Sequence, residues 1–142
     1  MSPQVVALDH KKEEMKALLI AAVVAVIYAA IRAKHDSFLS EGKWKIYAFL
    51  EGIFVGICVV LSLHWIFVIP WWNTVLLTPV FGIIFWIFFD GFSGILRDGN
   101  FLYIGRTGFD QKIRNIISDR LYQYLIFKLV WLVLTTAFYI YI

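Results

Sequence analysis

The feature that most constrains this chain is the recurrence of long apolar runs. About 20 apolar residues cross the hydrocarbon core of a bilayer. Four segments have that character: Ala17–Ala33, Tyr47–Ile69, Thr74–Phe89 and Leu121–Ile142. The first and third are short, roughly 24–26 Å at the helical rise, so they either thin the bilayer or extend past these limits. With 61% hydrophobic and 16% charged residues and a mean hydropathy of +0.78, the chain lacks the polar surface to cover a water-facing core. The pattern predicts an all-α integral membrane protein. Residues 1–142 form a single membrane domain, a four-transmembrane-helix bundle with a connector over residues 90–120.

Lysine and arginine give this bundle a predicted sidedness. The loop after the first span holds Arg32, Lys34, Lys43 and Lys45, and the connector holds Arg97, Arg106, Lys112, Arg114 and Arg120. The opposite side holds only Lys11, Lys12 and Lys16. The positive-inside rule then places both charged loops in the cytoplasm and both termini on the far side. Trp71, Trp72, Tyr139 and Tyr141 would belt one interface, and Trp44, Tyr47, Tyr122 and Tyr124 the other. Pro70, Trp71, Trp72 and Asn73 read as a tight turn that makes an antiparallel hairpin of the second and third spans. Residues 9–16 mix acids with lysines, unlike a secretory signal, and suit a short interfacial helix capped by Asp9.

Several chemistries are excluded by what the chain contains. Cys58 is the only cysteine, which rules out an intrachain disulfide and a cysteine metal cluster. His10, His35 and His64 offer no pair at i, i+4 spacing, and neither a zinc-protease motif nor a P-loop occurs. No nucleophile elbow is present. A net charge of +3 spread over membrane loops does not make a nucleic-acid-binding face. The expectation is a protein that is not an enzyme and carries no cofactor or metal.

Two kinds of residue in the spans point to packing. Ala17, Ala21, Ala25, Ala29 and Ala33 recur every four residues, and Gly52 and Gly56 form a GxxxG step. Small residues on one face let helices approach closely in lipid, within a subunit or between copies. Glu51 and Lys128 lie inside spans two and four at similar depths from the charged side, and Asp90 ends span three. An unpaired charge at depth costs roughly 2.5–3.5 kcal/mol on insertion scales, so an intramembrane ion pair among Glu51, Lys128 and Asp90 is expected. A proton path would need polar residues continuing across the membrane, and only His64, Ser62, Thr78, Thr135 and Thr136 are candidates.

The connector combines turn signals with an amphipathic restart. Asp98-Gly99 followed by Asn100 suggests a short surface hairpin, and Thr107 with Asp110 has capping-box spacing. Phe109, Ile113, Ile116, Ile117 and Leu121 then share one face of a helix, with Gln111, Lys112, Arg114, Asn115 and Ser118 on the other. That pattern suits an interfacial amphipathic helix before the last span, with basic residues toward lipid phosphates. Arg97, Arg106, Lys112 and Arg114 are the candidate contacts to lipid or to a partner.

The run FDGFSGILRDGNFLYIGRTGFDQKIRN resembles a pattern in small multi-span membrane proteins of Bacteroidota and their phages. The matching positions are Phe89, Asp90, Leu96, Arg97, Gly99, Tyr103, Gly105, Thr107 and Asp110, with Asp98 as an insertion. The resemblance covers the connector alone and implies a bacterial inner membrane or a phage-associated membrane. The functional expectation is a structural or interaction protein of such a membrane, with membrane lipids and either further copies of itself or another membrane protein as partners. The alternative is a holin-like or channel-type permeabilising protein.

Overall fold

Apolar helix-formers that must satisfy every backbone N–H and C=O without water leave the chain one solution, the α-helix. The computed structural model describes residues 3–37, 44–102, 111–112, 115–116 and 121–142, and within them it has four long helices. They are α1 (Pro3–Asp36), α2 (Trp44–Phe67), α3 (Trp71–Asp98) and α4 (Leu121–Tyr141). Each is long and apolar enough to cross a membrane, and no strand occurs among the described residues. The protein is an all-α integral membrane bundle.

The helices overrun the limits expected from hydropathy. α1 extends the predicted Ala17–Ala33 span in both directions, so residues 9–16 are a continuation of it and Asp9 lies inside a helix rather than capping one. The lysines and acids of that segment favour helix, and no Pro or Gly breaks it before Asp36. α3 likewise runs eight residues past Asp90, the expected span exit, and Gly91 and Gly94 are buried positions within it. Gly99 is where α3 stops: its φ of 68° is left-handed, and its N–H donates to the Ile95 carbonyl. The predicted Asp98-Gly99 hairpin is thus a helix end. The hairpin turn between α2 and α3 occupies Val68, Ile69 and Pro70, while Trp71, Trp72 and Asn73 form the first turn of α3.

α3 is the hub. It packs along α1, α2 and α4, α1 also packs on α2, and α4 approaches the backbone of α3 alone. Residue pairings give the directions. Tyr28 stacks on Phe85 while Arg97 reaches Asp36, so α1 and α3 run parallel. Gly52 faces Phe85 and Gly56 faces Phe81, so α2 is antiparallel to both.

The core follows the small residues. Ala17, Ala21, Ala25, Ala29 and Ala33 are all 0–1% exposed, and the first three join Val60, Leu63, Leu77, Val80, Phe81, Ile84 and Tyr139 in one cluster. The alanine register is therefore occupied within the subunit. Gly52 and Gly56 have the same use: a Cβ on Gly56 would stand 2.9 Å from the Phe81 ring. On α1 the opposite face carries Leu19, Val23, Ile27 and Ile31, each at least half exposed, as a lipid-facing surface requires.

Candidate functional site

The ion pairs between helices collect at one end of the bundle, the end of α1 and α3 and the start of α2 and α4. Helical rise sets the level. Tyr28 and Phe85 are stacked, Arg32 lies about 6 Å further along α1, and Asp90 lies about 7.5 Å further along α3. Two ion-pair groups thus flank α3 at roughly the same depth, one toward α1 and α2 and the other toward α4.

On the α1–α2 side, Tyr28, Arg32 and Asp36 share one helical face at i, i+4, i+8 spacing. The Arg32 guanidinium donates to Glu51 of α2 at 2.6 Å and to Asp36 at 3.2 Å, and the Tyr28 hydroxyl donates to the other Glu51 oxygen at 3.1 Å. Asp36 is only 1% exposed. A carboxylate at a helix C-terminus opposes the macrodipole, so its burial needs cations nearby. Arg32 supplies one, His35 Nδ1 lies 3.2 Å away, and Arg97 of α3 donates to the Asp36 carbonyl at 3.4 Å.

On the α4 side, Lys128 is 3% exposed and its ammonium donates to Asp90. The same Nζ lies 4.4 Å from the Trp86 ring centre and 4.1 Å from that of Tyr124. Aromatic faces attract a cation more strongly once water is removed, and the lysine Nζ sits in a three-sided cage of one carboxylate and two rings. Sequence reasoning placed Glu51, Lys128 and Asp90 together as one intramembrane set. The structure divides them: Lys128 takes Asp90, and Glu51 takes Arg32 and Tyr28. The physical reason is the topology, since α3 stands between α2 and α4, and those two helices make no close backbone approach among the described residues.

Several other hydroxyls in the spans are satisfied locally, while the Tyr139 hydroxyl of α4 donates to the Glu14 carbonyl of α1 at 2.8 Å. Ser62, Thr78 and Thr135 each donate to the carbonyl four residues earlier, at 2.8, 3.4 and 2.8 Å. His64 Nδ1 lies 2.9 Å from Thr74 Oγ1, which itself donates to the Pro70 carbonyl at 3.1 Å. Trp71 lies against the His64 ring, tilted by 32° with 3.9 Å between ring centres. This cluster ties α2 to α3 beside the short turn and lies at the opposite end from the ion pairs.

The chain matches no family model, no curated protein and no solved structure.

The basic residues expected to meet lipid or a partner divide three ways. Arg97 turns inward to the end of α1. Lys112 is helical and exposed, as are Gln111, Asn115 and Ile116. Arg106 and Arg114 lie outside the described residues, as do Tyr103, Gly105, Thr107 and Asp110 of the connector pattern. Sequence reasoning counted Arg32 among the loop cations and left Asp36 beyond the first span, so neither was matched with Glu51. The i, i+4, i+8 register of Tyr28, Arg32 and Asp36 is the signal that finds them. Trp86 and Tyr124 carried no such signal, since aromatic residues abound in the second, third and fourth spans. Among the described residues no group of His, Cys, Asp and Glu is arranged to hold a metal ion.

Proposed function

We propose that this protein is a non-enzymatic structural or interaction component of a membrane, anchored by a four-span bundle that does not conduct. The observation that carries this reading is the pairing of charge: Glu51, whose side chain is 47% exposed, is matched by Arg32, and buried Lys128 by Asp90, at one level of the bundle. The Ser62, Thr78 and Thr135 hydroxyls donate within their own helices, and the Tyr139 hydroxyl of α4 donates to the Glu14 carbonyl of α1. A pore assembled from copies of this chain would instead need polar side chains turned outward along a span. The outward faces are Leu19, Val23, Ile27 and Ile31 on α1 and Ile126, Val130 and Val133 on α4. Such faces suit lipid acyl chains or the apolar flank of another membrane helix.

In this reading the charged end and the connector face the cytoplasm, as the lysine and arginine count favours. Exposed Lys112, with Arg106 and Arg114, meets anionic headgroups or a partner there. The connector's resemblance to phage-associated proteins of Bacteroidota favours a virion-associated or host inner membrane as the setting.

The test is expression in bacterial cells loaded with a potential-sensitive dye. The reading expects unaltered membrane potential and growth at high expression. Abrupt depolarisation or dye leakage would replace it with a permeabilising, holin-like function.

A further inference from the structure

Eight residues past Asp90 of the buried α3–α4 pair, α3 ends and the chain turns back. Gly99 takes the left-handed conformation that reverses the backbone, and Asn100 Oδ1 accepts the Leu102 N–H at 3.0 Å, which closes a tight local turn. The reversal carries Phe101 onto Gly91, one residue past Asp90. The fit is close: a Cβ at Gly91 would stand 2.1 Å from the Phe101 ring. Phe88 meets the same ring edge to face at 6.3 Å between centres. Phe101 and Leu102 then join Gly91, Tyr124, Asp90 and Lys128 around a cavity of about 10 Å³, a volume at the lower limit for one water molecule.

We propose that Gly99–Leu102 is a hydrophobic strap that seals the Asp90–Lys128 pair from the aqueous side of the membrane. The pair gains its strength from low dielectric, and Lys128 sits within about two turns of the start of α4, close to the surface. Apolar cover at that surface is what keeps it dry. Phe101 supplies the cover, and Gly91 is the seat that lets the ring approach α3 closely. Displacing the strap exposes the amine without removing any group of the pair. The strap is thus a built-in point at which the connector, or anything bound to it, controls water access to the α3–α4 junction.

The amine itself reports the state of the strap. Purified protein in detergent is treated with a water-soluble N-hydroxysuccinimide ester, and labelling is read at Lys128 by peptide mass spectrometry. Lys34, which is exposed, serves as the internal reference. In the native chain Lys128 stays protected while Lys34 reacts. Phe101→Ala raises Lys128 labelling about tenfold or more, since reaction follows the population of the open form. Gly91→Ala does the same by pushing the ring away, and Phe101→Leu, which keeps an apolar cover, stays near the native value. Native labelling of Lys128 as fast as Lys34, or no rise in Phe101→Ala, overturns the proposal. So does an equal rise in Phe101→Leu, or a loss of helical circular dichroism in Phe101→Ala, because either makes Phe101 a core packing residue and not a strap.

Discussion

Lys128 is the residue on which the bundle's electrostatics turn. Removing one partner of a buried pair strands the other charge, which typically costs about 3–5 kcal/mol. Lys128→Met should therefore lower stability by roughly that amount, and adding Asp90→Leu should recover most of it. Lys128→Met with Glu51→Leu should recover nothing, since Glu51 is held by Arg32 and Tyr28. Thermal unfolding in detergent measures both double variants against the single one. The need for a partner was legible in the sequence, because a lysine eight residues into an apolar span demands one. Which acid it takes was not, because two were within reach by depth alone and only the placement of α3 between α2 and α4 separates them. Val68 shows the same limit on a smaller scale: a β-branched residue at φ 52° is dictated by a three-residue turn closing on Pro70, and no propensity would place it there.

At the scale of elements, α1 shows what a periodic pattern can and cannot specify. The alanines every four residues marked a packing face, and the helix buries that face completely against its own chain. Spacing alone carried no information on whether the neighbour was another helix of the chain or a second copy. Overpacking tests the arrangement. Ala25→Leu forces a larger side chain into a seam with no space and should cost about 1–3 kcal/mol or more. Val23→Leu, on the exposed face, should stay within about 0.5 kcal/mol. Equal effects in thermal unfolding would contradict the assignment of the two faces. Helix ends were harder to read than helix faces. Hydropathy drops at Asp90 and at Lys16, yet both helices continue, since backbone hydrogen bonding carries a helix past the apolar limit until a residue such as Gly99 stops it.

For the whole molecule, four spans and an all-α fold were legible because lipid allows so few alternatives. The polar layer was only partly so: its acids and bases are scattered over Tyr28 to Lys128, and burial of Asp36 depends on Arg97 from sixty residues further along the chain. The central claim is that all four helices cross the membrane with a fixed alternation. Single cysteines introduced into a Cys58→Ser background, at Ser37, Val68, Lys112 and Ile142, test it with a membrane-impermeant thiol reagent. The account predicts that Ser37→Cys and Lys112→Cys are labelled from one side of sealed vesicles, and Val68→Cys and Ile142→Cys only from the other. Labelling of Val68→Cys and Lys112→Cys from the same side would contradict it.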